Sequence, residues 1–198
     1  MNLTISKKQL PFRFRPETPM SDDELLRFCA ANDATHIERE PNGEILVMSP
    51  ANSNTSKMNM RICRFLDEWT EADGRGVAFD SSGGFTLSDG SMRNPDAAWI
   101  LHKRWEALTS AQQSSFAPVC PDFVIELRSP SDKLQDVQAK MAMWIANGAE
   151  VAWLIDPERK AVEIYRPGDS SEELHEPSSV QGTGPVAGFE LVLAKIWQ

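Results

Sequence analysis

The sequence predicts an α/β fold. Three observations carry that expectation: a strand–helix–strand unit over residues 121–156, a hairpin over residues 36–48, and a long amphipathic helix over residues 53–72. A chain of 198 residues suits one domain with a full core, or at most a domain with an appendage. At 41% hydrophobic and 25% charged residues the composition is that of a globular protein.

Residues 1–20 contain three prolines and no periodicity, and read as an N-terminal arm. Ser21 is placed to cap a helix whose first turn holds Asp22, Asp23 and Glu24, acids that complement the helix dipole. Leu25, Leu26, Phe28 and Cys29 give that helix an apolar side. The segments 36–40 and 44–48 flank Pro41-Asn42-Gly43, and Asn-Gly between alternating segments signals a hairpin. Met58, Ile62, Phe65, Leu66 and Trp69 recur at helical spacing until Asp73-Gly74-Arg75-Gly76 ends the run. Short strands are expected at 77–79 and 85–87, with a turn at Ser88-Asp89-Gly90, then a strand from Pro95 to Ile100. A short helix over 103–108 and a loop lead to Cys120.

Residues 121–128 form a nearly continuous apolar run, as in a buried strand. Ser129-Pro130-Ser131-Asp132 then has the order of a helix start: a cap, a proline at the first helical position and an acid at the capping-box position. The helix runs to Asn147-Gly148, a C-terminal stop. Residues 151–156 are a strand, 157–160 a turn and 161–165 its hairpin partner. The two strands of the 121–156 unit should be parallel, joined by a right-handed crossover. Residues 167–188, rich in Gly, Ser, Pro and Glu, read as a solvated loop; 189–197 is apolar and docks either on the body or on a second copy.

Several function classes fall away. A net charge of −9 and a pI of about 4.9 argue against a broad basic surface for nucleic acid, though not against a local basic groove. Three separated cysteines fit neither a disulfide framework nor a zinc site, which makes a reducing cytoplasm the expected compartment. The N-terminus does not read as a secretory signal, and no apolar run approaches the roughly 18 residues of a membrane span. His36, His102 and His175 lack metal-ligand spacing, no glycine loop sits between a strand and a helix, and no Ser/His/Asp arrangement has recognisable spacing.

One constellation carries chemistry. Strand periodicity puts Asp122, Val124, Glu126 and Arg128 on one face and Phe123, Ile125 and Leu127 on the other. Burying the Glu126 carboxylate is costly unless it is paired or bound to metal. Glu126 lies four residues before Pro130, roughly 13 Å along a strand at about 3.3 Å per residue. Lys140 lies ten residues beyond Pro130, roughly 15 Å back along a helix at about 1.5 Å per residue. The two therefore sit level. Leu134, Val137, Met141, Trp144 and Ile145 form the sheet-facing stripe, with Lys140 just outside its Trp144 edge. Asp96 opens a separate strand behind Pro95. Two carboxylates at adjacent strand ends can share a hard cation such as Mg²⁺, and a nearby lysine can orient or deprotonate a water or stabilise phosphoryl charge. The same spacing serves a structural Glu126–Lys140 ion pair equally well, and Arg128 is a competing partner for Glu126. Asn59 reads as a surface residue, and Lys103, Arg104 and Arg75 as a solvated face.

The residues Ser49-Pro50, Arg93-Asn94-Pro95-Asp96, the run from Pro121 to Asp132, Lys140-Met141, Asn147-Gly148-Ala149 and Trp153-Leu154-Ile155-Asp156-Pro157 resemble the Uma-two family of the PD-(D/E)XK restriction-endonuclease-like superfamily. The resemblance spans about residues 20–197. It implies a restriction-endonuclease-like core, a mixed central sheet flanked by helices, occupying residues 21–198 behind the arm over 1–20. It implies a Mg²⁺- or Mn²⁺-dependent endonuclease with DNA as substrate, Asp96 and Glu126 as metal ligands with the Leu127 backbone carbonyl, and Lys140 in the lysine role. The sequence departs from the superfamily pattern in having Arg128, not lysine, two positions after Glu126; the lysine moves to the following helix. An upstream acid often completes such sites, and Glu44 and Glu40 are both candidates. A catalytically inactive scaffold that binds nucleic acid or protein is the alternative, motivated by the −9 charge and by Arg128. A third reading is assembly into a homodimer through the apolar C-terminal segment.

Overall fold

In a computed structural model, which describes residues 10–197, strand β1 (Phe12–Phe14) and helix α1 (Asp22–Ala30) precede the hairpin β2 (His36–Arg39) and β3 (Ile45–Met48). Helix α2 (Ser53–Asp73) leads into β4 (Gly76–Asp80), β5 (Phe85–Thr86), β6 (Met92–Arg93) and β7 (Ala97–Leu101). Two short helices, α3 (His102–Glu106) and α4 (Ser110–Gln113), come before β8 (Phe123–Leu127), α5 (Leu134–Ala146), β9 (Val151–Asp156) and β10 (Ala161–Tyr165). The chain ends with β11 (Glu172–His175), β12 (Val180–Gln181) and β13 (Glu190–Leu191), with 3-10 turns at Gly184–Val186 and Leu193–Lys195. Two units are formed: a smaller one from residues up to Ala51, Gly84–Asn94 and Leu108–Val119, and a larger one from Asn52–Gly83, Pro95–Ala107 and the chain from Cys120 onward.

In the smaller unit, the Ser21 hydroxyl caps α1 and Glu24 reaches back to the Ser21 N–H at 2.9 Å, a complete capping box. Leu25 and Phe28 are the buried residues of that helix. The β2–β3 turn passes through Gly43 at φ +81°, a conformation that favours glycine. The five-stranded sheet has the order β1-β3-β2-β6-β5. Two of its strands depart from expectation. Residues 12–14, read as part of the arm, pair with β3. The two-residue β6 pairs with both β2 and β5 but is too short to show a period. Helix α4, a single turn, also lies where a loop was expected.

The larger unit is built on a six-stranded sheet, β11-β10-β9-β8-β7-β4. Strands β8 and β9 are parallel and every other neighbouring pair is antiparallel, so the sheet is mixed. One face carries Ala97, Trp99, Phe123, Ile125, Leu127, Trp153 and Ile155, which share a core with Met58, Ile62 and Leu66 of α2. Phe189, Leu191, Leu193 and Ile196 complete that core. Of the two dockings the sequence allowed for this segment, on the body or on a second copy, the chain makes the first. The other face of the sheet meets α5, where Met141 and Trp144 are buried.

Helix α5 starts at Leu134, not at Pro130, and its N-cap Lys133 makes no side-chain cap. Asp132 does reach back to the Ser129 N–H at 2.8 Å, but it closes a separate turn that precedes the helix. The segment 167–188 is not simply a loop. It supplies edge strand β11, paired with β10, and β12, paired with β13. Its pairing is made by main-chain hydrogen bonds, which leave no hydrophobic period in the sequence.

Candidate active site

Strands β7 and β8 pair Ala97 with Ile125, Ala98 with Val124 and Trp99 with Phe123. One further step along that register sets Asp96 opposite Glu126. Opposed residues of an antiparallel pair share a face, with Cβ atoms about 4.5–5.5 Å apart. The Leu127 N–H donates to Asp96 Oδ2 at 2.7 Å and so ties the Asp96 carboxylate to the end of β8. From α2, the Asn59 amide nitrogen and the Cys63 thiol, one helical turn apart, donate to the Asp96 carbonyl at 3.1 and 3.5 Å. Burial, with Asp80 and Asp96 nearby, pushes the Cys63 thiol up to about 12, so its sulfur acts as a neutral donor. Asn59 is therefore not the surface residue expected; the spacing of 59 and 63 is visible in the sequence, but their shared acceptor is 33 residues beyond Cys63.

Glu126 is buried, 5% exposed. Lys140 Nζ lies 3.0 Å from its Oε1, and the indole N–H of Trp144 donates to the same oxygen at 2.8 Å. Lys140 and Trp144 are four apart on α5 and reach the strand from one edge of the helix. The meeting of Glu126 with Lys140 is the geometry expected from strand and helix rise, although α5 supplies a shorter lever than assumed: the turn over residues 129–133 covers the rest of the return. Sequence reasoning placed Trp144 in the apolar stripe and missed its donor.

Arg128 does not neutralise Glu126. Its guanidinium binds Asp156 Oδ2 at 2.8 Å and Glu158 at 3.2 Å, and its Nε donates to the Asp132 carbonyl. The cause is the parallel register: Asp156, which ends β9, is almost fully buried and draws the nearest cation. Glu40 and Glu44 belong to the smaller unit, where Arg93 and Arg13 hold Glu40 at 2.5 and 3.0 Å and Arg13 holds Glu44 at 3.2 Å. The more buried acid of that hairpin is Glu38, which takes Arg93 at 3.0 Å and the Asn94 N–H. Lys103 and Arg75 lie on the solvated face expected, Arg75 paired there with Asp73, whereas Arg104 pairs with the buried Asp122. Among the described residues, no group of three or more His, Cys, Asp or Glu is arranged to hold a metal ion, and no helix is long and apolar enough to cross a membrane.

A mixed sheet with carboxylates on adjoining strands, flanked by helices, is the core of a restriction-endonuclease-like protein. Within that class the chain belongs to the Uma2 family, described as "Putative restriction endonuclease", whose model matches residues 22–195. A crystal structure of a putative nuclease belonging to DUF820 from Anabaena variabilis superposes with a TM-score of 0.72 at 21% identity, covering 90% of this chain and 98% of that one, and it shares the fold. A DrdV–DNA complex solved by electron cryomicroscopy gives a TM-score of 0.38 at 14% identity over 62% of this chain and 12% of that one, too slight a likeness to carry weight. No curated protein sequence is significantly similar to the chain.

Proposed function

We propose that the protein is a divalent-metal-dependent nuclease that hydrolyses DNA phosphodiester bonds with an activated water. The observation that supports this most is the convergence on Glu126 of Lys140 at 3.0 Å, beside the strand that begins after Asp96. The donor set fits a Mg²⁺ or Mn²⁺ ion: Asp96, Glu126 and the Leu127 carbonyl offer only hard oxygens, and such an ion takes few protein ligands and keeps waters. When bound, the ion supplies Lewis-acid polarisation of the phosphate and lowers the pKa of water.

The chain's own residues do the rest. The Leu127 N–H orients the Asp96 carboxylate, while Asn59 fixes the Asp96 main-chain carbonyl behind it. Lys140 keeps its ammonium at the Glu126 edge, where it can orient the attacking water or face charge that develops on the phosphoryl oxygens. Water adds its oxygen to phosphorus, the P–O ester bond breaks, and the leaving oxygen takes a proton. Purified protein with Mg²⁺ or Mn²⁺ should nick or cut DNA, and Glu126→Ala should abolish cleavage. Equal cleavage by both proteins would sink the assignment.

A non-cleaving scaffold is the second reading. It is favoured by the lack of a three-residue metal cluster among the described residues. Calorimetric titration separates the two: heat of Mn²⁺ binding that disappears in Glu126→Ala supports the enzyme, and no heat in either supports the scaffold.

A further inference from the structure

Trp144 takes no part in the proposed chemistry, yet its N–H is spent on the central carboxylate. The ring is fully buried, and burial favours some partner for an indole N–H. The indole of Trp144 lies 2.8 Å from Glu126 Oε1, the oxygen that Lys140 also approaches at 3.0 Å. A lysine ammonium on a flexible stem follows a carboxylate as it turns, whereas an indole locked in a core fixes the donor direction in space. Of these two donors to Oε1, the Trp144 indole is the one whose direction is fixed by packing.

We propose that Trp144 is a positioning residue, whose indole N–H orients the Glu126 carboxylate and thereby sets the affinity of the Asp96–Glu126 site for a divalent cation. This inference rests on the reading that those carboxylates take such a cation. Groups that orient metal ligands commonly change affinity about 10–100-fold when removed.

The test replaces Trp144 in the full chain with benzothienylalanine, in which sulfur stands for the N–H and the ring shape is kept. Mn²⁺ is then titrated calorimetrically into this variant and into wild type. The expected result is affinity about 10–100-fold weaker with an unchanged circular dichroism spectrum. Unchanged affinity overturns the role of Trp144 alone, while a wild type that binds no Mn²⁺ overturns the site reading and this inference with it. If the variant does not fold, ¹⁵N-indole spectra of wild type decide. Added Mg²⁺ should shift the Trp144 cross-peak, and Glu126→Gln should remove that shift; a Trp144 cross-peak unmoved at saturating Mg²⁺ overturns the proposal.

Discussion

Two cations near the end of β8 have different work, and substitution should separate them. Lys140 faces Glu126, so Lys140→Met should lower cleavage by about 10²–10³-fold, the range for removing one donor that faces developing charge. Its fold should persist, because Trp144 still donates to Glu126. Undiminished DNA cleavage by Lys140→Met would reduce the pair to a structural contact. Arg128→Ala should do the reverse. It leaves cleavage intact and costs about 1–3 kcal/mol in a urea titration, because Asp156 is 1% exposed and loses the closer of its two arginines, the other, Arg159, lying at 3.8 Å. Only one of these two contacts was legible in the sequence. Glu126 and Lys140 meet at the level that strand and helix rise suggest, with the turn over residues 129–133 making up what the shorter helix lacks. The partner of Arg128 depends on Asp156, 28 residues away on a neighbouring strand, and nothing local to Arg128 announces it.

Helix α5 is the element that brings Lys140 to the sheet, and acids hold it on two strands. Glu126, Leu154 and Glu163 lie in one row across β8, β9 and β10. Trp144 and Lys140 bind the first, while Gln138 binds Glu163 with both contacts at 3.0 Å. Burial pushes the Glu163 carboxyl up, but Tyr165, Arg159 and Gln138 outweigh it and hold the group below its ordinary 4.5. A carboxyl lowered in the folded state stabilises that state above its unfolded pKa, and the contribution disappears as pH falls through the folded value. Wild type should therefore lose urea resistance progressively from about pH 5 downward, and Glu163→Gln should flatten that limb while lowering stability at neutral pH. Parallel pH dependence in the two proteins would show that Glu163 contributes nothing to it. The strand–helix–strand order of this region was readable because an apolar run and a helical period are local signals. The start of α5 was misread because Ser129-Pro130-Ser131-Asp132 satisfies a helix cap and a free-standing turn equally well, and the choice is made by the packing of Leu134 onward.

For the whole molecule the same division recurs in the final segment, whose apolar character was plain and whose partner was not. An apolar strip can cover its own core or that of a second copy, and periodicity does not distinguish them. Phe189, Leu191, Leu193 and Ile196 are each 0% exposed, in one cluster with Met58 and Leu66 of α2 and Trp153 of β9. Phe189 stacks on Trp153 at 5.6 Å between centroids and lies against Trp69 and Phe123 as well. Burying four such side chains contributes about 6–12 kcal/mol at 1.5–3 kcal/mol each. Net stability of a domain is only about 5–15 kcal/mol. A chain ending before Phe189 should therefore lose its cooperative thermal transition and the near-ultraviolet signal of its packed aromatic residues, and Leu193→Ala alone should cost about 2–5 kcal/mol. The contrary outcome is concrete. If the truncated chain stays folded and light scattering reports a smaller assembly, the segment joins copies instead of closing the core, and the six-stranded sheet must be stable with its α2 face half uncovered.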